Sequence, residues 1–208
     1  MYYKYPRTLH FPFSKGITSD DKILETTSHF NNREIVVTEK MDGENSTVYR
    51  DYYHARSLYS EHKWYHSWLL GYVKTFQYLI PENYRICGEY LFARHSIKYE
   101  NLKSYFQVFS VWNENICLSW DETESFCNQL GLETVPVLYR GLYDEDKIKE
   151  IAKEVVSKGG EGIVVRLSSS FKYEDFPLSI AKYVRKNHVQ TDKHWSLGII
   201  EENKLKKV

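Results

Sequence analysis

Four short apolar, strand-like segments of this chain each carry a charged group at a set place, and a fold that accommodates them must be built largely from sheets. The β-branched run Glu34-Ile35-Val36-Val37-Thr38-Glu39 delivers Lys40-Met41-Asp42-Gly43. Gly88-Glu89-Tyr90-Leu91, Glu161-Gly162-Ile163-Val164-Val165-Arg166 and Ala181-Lys182-Tyr183-Val184-Arg185 follow in that order. K-x-D-G alone usually marks a solvated turn. A lysine, acids and cations punctuating four strands in succession instead read as one pocket, in which a lysine at a strand end is a candidate covalent nucleophile.

The intervening pattern is an irregular alternation of helices and strands. Residues 35–39 and 46–50 read as a hairpin-like pair flanking Lys40, with Gly43 permitting an unusual backbone angle in the loop. Trp64, Trp68, Tyr72, Phe76 and Ile80 recur every fourth residue, so 63–80 is expected to be an amphipathic helix ended by Pro81, its aromatic stripe facing the core. Strands are expected over 84–91, 105–112 and 135–139. Ser119-Trp120-Asp121-Glu122 has the form of a capping box opening a helix that runs to about Leu130 and stops at Gly131. A charged helix over 144–158 turns Ile148, Ile151 and Val155 inward and ends at Gly159-Gly160. The paired antiparallel segments argue for an α+β fold with antiparallel sheets flanked by helices. No G-x-G-x-x-G or G-x-x-x-x-G-K-[ST] is present, so phosphate has to be bound by side chains.

A length of 208 residues allows one domain with a sizeable core. We expect residues 1–208 to form a single domain, with 188–208 a small C-terminal extension and no separate OB-fold domain. The 28 basic and 28 acidic residues cancel, so contact with nucleic acid must come from local clustering. Lys182, Arg185, Lys186, Lys193, Lys204, Lys206 and Lys207 supply such a cluster near the C-terminus, although 204–208 reads equally well as a frayed, solubilising tail. Aromatic residues are 16% of the chain and offer stacking faces as well as core volume. Cys87, Cys117 and Cys127 have neither disulfide-framework nor zinc spacing, and His10, His54, His62, His66, His95 and His188 fit no metal-ligand motif. With no apolar run of membrane-spanning length, the expectation is a cytoplasmic protein of bacterial or phage type without membrane contact.

The order K-x-D-G, G-E-Y-L, E-G-I-V-V-R and A-K-Y-V-R resembles the covalent nucleotidyltransferases, which comprise polynucleotide ligases and messenger-RNA capping enzymes. Within that superfamily the chain is similar to ATP-dependent RNA ligases, and most of all to the nick-sealing class of phage and trypanosome editing ligases. Glu39 before the lysine, Asn45 five residues after it, and Ser125-Phe126-Cys127-Asn128 ahead of Pro136-Val137-Leu138 carry that likeness, which covers about residues 34–187. It implies a nucleotidyltransferase (ATP-grasp-like ligase adenylation) domain that joins 3′-hydroxyl and 5′-phosphate RNA ends through lysyl-AMP. The implied cofactors are ATP and Mg²⁺ or Mn²⁺. The implied partners are RNA ends, in a nicked duplex or a broken tRNA or stem-loop, and an RNA end-healing kinase/phosphatase. A DNA ligase adenylation domain or a capping guanylyltransferase is the alternative, and a non-catalytic RNA-end binding protein a more distant one.

By the same resemblance Lys40 becomes adenylylated, Glu39 and Phe109 hold the adenine, Glu89 meets the ribose, and Asn45 and Arg56 lie near ribose and phosphate. Glu161, with Asp42, positions a metal. Arg166 and Lys182 bind phosphates. The chain departs from the family pattern at Ser110, where Asp is frequent, and at Lys182-Tyr183-Val184-Arg185, where Lys-x-Lys is usual; Arg185 or Lys186 is then the candidate second cation. The chemistry has an electrostatic difficulty. A free lysine is neutral in only about one molecule in a few thousand at pH 7, and Asp42 and Glu161 acting alone would keep it protonated. A divalent ion that draws those carboxylates to itself removes the conflict.

Overall fold

The computed structural model describes residues 1–19, 21–59, 61–186 and 200–207. Two sheets share the molecule. The first runs in the order β1 (Leu9–His10), β12 (Ile180–Val184), β10 (Gly162–Leu167), β2 (Glu34–Glu39), β9 (Val137–Leu142). The second runs β11 (Phe171–Lys172), β7 (Ile116–Cys117), β6 (Phe106–Asn113), β5 (Tyr84–Tyr90), β3 (Glu44–Val48), β4 (Tyr53–His54), with β8 (Glu133–Thr134) paired to β6. Pairing is antiparallel except for β1 on β12 and β8 on β6. The helices are few: α1 (Ser67–Val73), α2 (Trp120–Leu130), α3 (Glu145–Ser157) and the short α4 (Phe176–Ser179).

Strand alternation builds the core. Ile35 and Val37 of β2, Ile163 and Val165 of β10, and Ala181 and Tyr183 of β12 form one apolar face, onto which α3 lays Ile148, Ile151, Ala152 and Val155. A second cluster joins Val48, Ile86, Phe106, Val108 and Val111 of the second sheet to Trp120 and Cys127 of α2 and to Leu69 and Val73 of α1. Val36 belongs to this second cluster, so β2 is buried on both faces.

That burial corrects the expected hairpin. The strands on either side of Lys40 do not pair with each other: β2 lies between β10 and β9, and β3 between β4 and β5. The chain changes sheets at 40–43. Gly43 allows this crossing because a Cβ there would stand 2.4 Å from the carbonyl oxygen of Tyr90.

The expected helix over 63–80 is also corrected. Only Ser67–Val73 is α-helical, flanked by 3₁₀ turns at Trp64–His66 and Gln77–Leu79. Aromatic residues are mediocre helix formers, and the Thr75 hydroxyl donates to the Tyr72 carbonyl at 2.7 Å where the helix stops. Phe76 and Ile80 are buried, but Trp64 stays 61% exposed, so the stripe is only partly core. The strand expected at 135–139 is displaced to 137–142 because Pro136 has no N–H to donate; its carbonyl instead accepts from Glu39 N at 2.9 Å. The other strands and α2 and α3 lie where the pattern put them, within a residue or two. Among the described residues no helix is long and apolar enough to cross a membrane.

Candidate active site

A cavity of about 400 Å³ opens between the two sheets, a volume suited to a nucleotide. Thr38, Val164 and Lys182 stand side by side across β2, β10 and β12, since Val164 is in register with both others. Asn45 and Glu89 are cross-strand partners on β3 and β5 and face them from the second sheet. Opposite the Cys87–Gly88 step, the partners on β6 jump from Ser110 to Val108, which leaves Phe109 as an extra residue and turns its ring into the cavity. Tyr5 meets that ring edge-on at 5.0 Å.

Lys40 leaves the end of β2 with its N–H donating to Gly162 O at 2.9 Å, so the β2–β10 ladder aims its side chain. Its Nζ lies 2.6 Å from Glu161 Oε2. Glu161 is buried at the start of β10, and its carbonyl accepts from Arg185 N. Burial disfavours the charged lysine, but Glu161, Glu89 and Asp42 outweigh it and hold the Lys40 ammonium above its ordinary range. Glu89 is pushed up to about 8 by burial, with Glu161 and Asp42 adding to the effect against the pull of Lys40. Its Oε1 accepts from Gly43 N at 3.1 Å, which ties the K-M-D-G loop to β5. Burial also raises Glu39. Lys182 is lowered, by burial first and then by the nearby charge of Lys40, while Asp21 at 3.8 Å opposes the change.

Arg166 crosses β10 to donate to the Phe109 carbonyl and lies 4.9 Å over the Trp120 ring, so a buried guanidinium is fixed between the sheets. Arg56 reaches the cavity from the loop after β4. Glu39, Lys40, Asn45, Arg56, Glu89, Phe109, Arg166 and Lys182 therefore come together around one space.

Two expected members sit elsewhere. Asp42 Oδ2 accepts from Ser96 N (2.8 Å), Ser96 Oγ (2.6 Å) and Ile97 N (2.8 Å), which is the position of a loop anchor and gives no support to a metal-ligand role. Arg185, one residue past β12, lines a second cavity with Glu39, Lys98, Lys158 and Gly160. His188, Lys193 and most of the expected extension over 188–208 lie outside the described residues.

The residue pattern of the RNA ligase family matches positions 33–184. The chain belongs to the RNA ligase family. Among solved structures it is similar to a protein described as an ATP-dependent DNA ligase from Aquifex aeolicus, at 24% identity and a TM-score of 0.59, over 88% of this chain and 50% of that one. An archaeal ATP-dependent RNA ligase matches at 18% identity and 0.57, over 85% and 48%. An RNA ligase of Naegleria gruberi, solved with pyrophosphate, matches at 19% identity and 0.57, over 88% and 57%. These likenesses establish the α+β nucleotidyltransferase fold of ligase adenylation domains, with two sheets and few helices. The chain spans about half the length of these proteins. No curated protein matches it.

In this RNA ligase family member, the motif residues leave part of the cavity unaccounted for. Tyr5, Pro6 and Thr8 reach it from the N-terminal segment, and Glu44 and His95 line it from the second sheet and its following loop. Glu44 is held by buried His66, whose Nε2 is 2.8 Å from Glu44 Oε1 while its Nδ1 accepts from Lys63 N, which assigns the ring proton to Nε2. Nothing in the spacing of residues 44 and 66 announces that pair.

The donor set also bears on a divalent ion. Among the described residues no three His, Cys, Asp or Glu side chains are grouped to hold a bare metal. Glu161 and Glu89, flanking Lys40, fit an ion of the Mg²⁺ or Mn²⁺ type, which takes one or two carboxylates and completes its shell with water and phosphate oxygens.

Proposed function

We propose that this chain is the adenylylating part of an ATP-dependent RNA ligase that carries AMP on Lys40 and joins 3′-hydroxyl to 5′-phosphate ends. The observation that carries the reading is Lys40 Nζ held 2.6 Å from Glu161 at a nucleotide-sized cavity in which Arg166, Lys182 and Arg56 face Glu39 and Glu89. In the first step Nζ loses its proton to solvent and attacks the α-phosphorus of ATP. A P–N bond forms, the α–β P–O bond breaks, and pyrophosphate leaves. Arg166 and Lys182 are suited to oppose the charge that builds on the phosphates, and Phe109 to stack on the base. A 5′-phosphate oxygen then takes AMP from the lysine, and a 3′-hydroxyl displaces AMP to close the strand.

A divalent ion at Glu161 would polarise the α-phosphate and draw negative charge away from Lys40, weakening the grip that keeps it protonated. One Naegleria gruberi RNA ligase structure holds ATP and manganese, which supports this pairing of ligands. We assign Glu161 the metal role and Asp42 the loop. For the acceptor we favour RNA nicks of the kind sealed in repair, because the family pattern is that of RNA ligases.

Incubation with α-labelled ATP or GTP and a divalent metal, followed by a chase with 5′-phosphorylated RNA or DNA nicks, tests the reading. ATP alone should give an acid-labile protein adduct that RNA nicks discharge. A GTP adduct would indicate a capping activity, discharge by DNA alone a DNA ligase, and no adduct a binding protein. Lys40→Ala should abolish the adduct, as read by loss of label on the protein band. Glu161→Ala should slow its formation by orders of magnitude and alter the metal optimum, as read by single-turnover rates across a metal titration.

A further inference from the structure

We propose that Asn203 is a positioning residue for Lys40, acting through Tyr99 and the main chain of Asp42. Residues 201–206 are bound to the segment between Leu91 and Leu102, although the lysines at 204, 206 and 207 read in sequence as a solubilising tail. Arg94 N donates to Glu201 O, Asn203 N to Phe92 O, Leu102 N to Lys204 O and Lys206 N to Leu102 O, all within 3.0 Å. Asn203 is 1% exposed, and its side chain is spent in both directions: Nδ2 donates to Leu91 O at 2.8 Å, and Oδ1 accepts from Tyr99 N at 2.9 Å.

Tyr99 joins this strap to the nucleophile loop. Its carbonyl accepts from Lys204 N at 2.8 Å, so both of its main-chain polar groups are held by the strap. Its hydroxyl accepts from Asp42 N at 2.9 Å. Three and two residues before Tyr99, Ser96 and Ile97 donate to the Asp42 carboxylate, so Asp42 is gripped at N–H and side chain by one short segment. Asp42 lies two residues from Lys40 and next to Gly43, whose N–H is on Glu89. The loop that crosses from one sheet to the other is therefore fixed by its neighbours in the sheets and by a segment some 160 positions further along the chain. A strap that served packing alone would have no need of the Tyr99 hydroxyl on Asp42 N, since the strap's own bonds end at the Tyr99 main chain.

The inference rests on Lys40 as the nucleophile, and its test separates the two. In the full chain, Asn203→Ala should speed amide exchange at 41–45 by about tenfold, the effect of losing one buried hydrogen bond in the chain of contacts. It should also lower the maximal rate of lysyl-AMP formation by on the order of tenfold to a hundredfold while the KM for ATP changes little. Tyr99→Phe keeps both main-chain bonds to the strap and removes only the hydroxyl, so it should reproduce both effects with little loss of melting temperature. The double variant should be no slower than the slower single one, because both remove the same link. Unchanged exchange at 41–45 in Tyr99→Phe, or rate losses that simply multiply in the double variant, would overturn the inference. If the unaltered chain takes no label from ATP, the ligase reading fails, and the exchange measurement still decides the coupling.

Discussion

Lys40 Nζ lies 2.6 Å from Glu161, and the charges of Glu161 and Glu89 both act on that lysine. Glu161, Glu89 and Asp42 hold the Lys40 ammonium above its ordinary range, and burial, with its acidic neighbours adding, pushes Glu89 up to about 8. The consequence for stability has a definite sign. Between about 4.5 and about 8 the folded chain holds a proton on Glu89 that the unfolded chain has released, so stability falls as pH rises through that window. Glu89→Gln removes this titration, and its stability should fall less steeply than that of the unaltered chain, as read from urea midpoints at several pH values between 5 and 8. Parallel curves for the two proteins would contradict the assignment. In the proposed mechanism, a divalent ion that took up the charge of Glu161 would leave the lysine free to lose its proton. The lysine's place at the end of β2, beside Glu161, was legible from its motif. The Glu44–His66 pair and the hydrogen bonds of Asp42 to Ser96 and Ile97 were not, because both depend on partners more than twenty positions away that carry no motif of their own.

The elements that were legible are those whose signals are local. Ser119 and Glu122 form the reciprocal capping box that their spacing implies, with Glu122 N donating to Ser119 Oγ and Ser119 N donating to Glu122 Oε2. Gly131 closes the same helix in the left-handed region, at φ 67°. Ser119→Ala should cost about 1 kcal/mol, a drop in melting temperature of roughly 2–4 °C for a chain of this size, and leave adenylylation intact. Calorimetry alongside the labelling assay checks both halves of that expectation. Elements failed to be legible where tertiary packing decided between local options. The run at 34–39 is compatible with a hairpin, and only burial on both faces makes it a central strand. The aromatic stretch at 64–80 has helical spacing throughout, yet it breaks after Val73 to seat Phe76 and Ile80 in the core.

The whole molecule is two sheets that meet at a cavity lined from both, and a nucleotide is the ligand proposed for it. Such a ligand binds the folded state alone and should raise its stability. ATP at about a hundred times its Kd contributes roughly 2.7 kcal/mol, or about 5–10 °C in melting temperature. With Lys40→Ala this shift should persist without covalent attachment, as read by thermal melts with and without ATP; its absence from both proteins would remove the cavity from nucleotide binding. The strap of residues 201–206 belongs to this level too, since it binds the segment between Leu91 and Leu102 whose Ser96, Ile97 and Tyr99 hold Asp42. Taken by itself, the amino-acid sequence determined which charged residues arrive at one cavity and in what order, because a lysine, acids and cations are recognisable by type and by their place at strand ends. The tertiary structure alone decided that β2 and β3 belong to different sheets, that Asp42 anchors a loop, that Arg185 turns from the nucleotide cavity, and that a lysine-rich tail is built into the fold. Those outcomes follow from burial and from hydrogen bonds between positions far apart in the chain, which no local pattern of residues encodes.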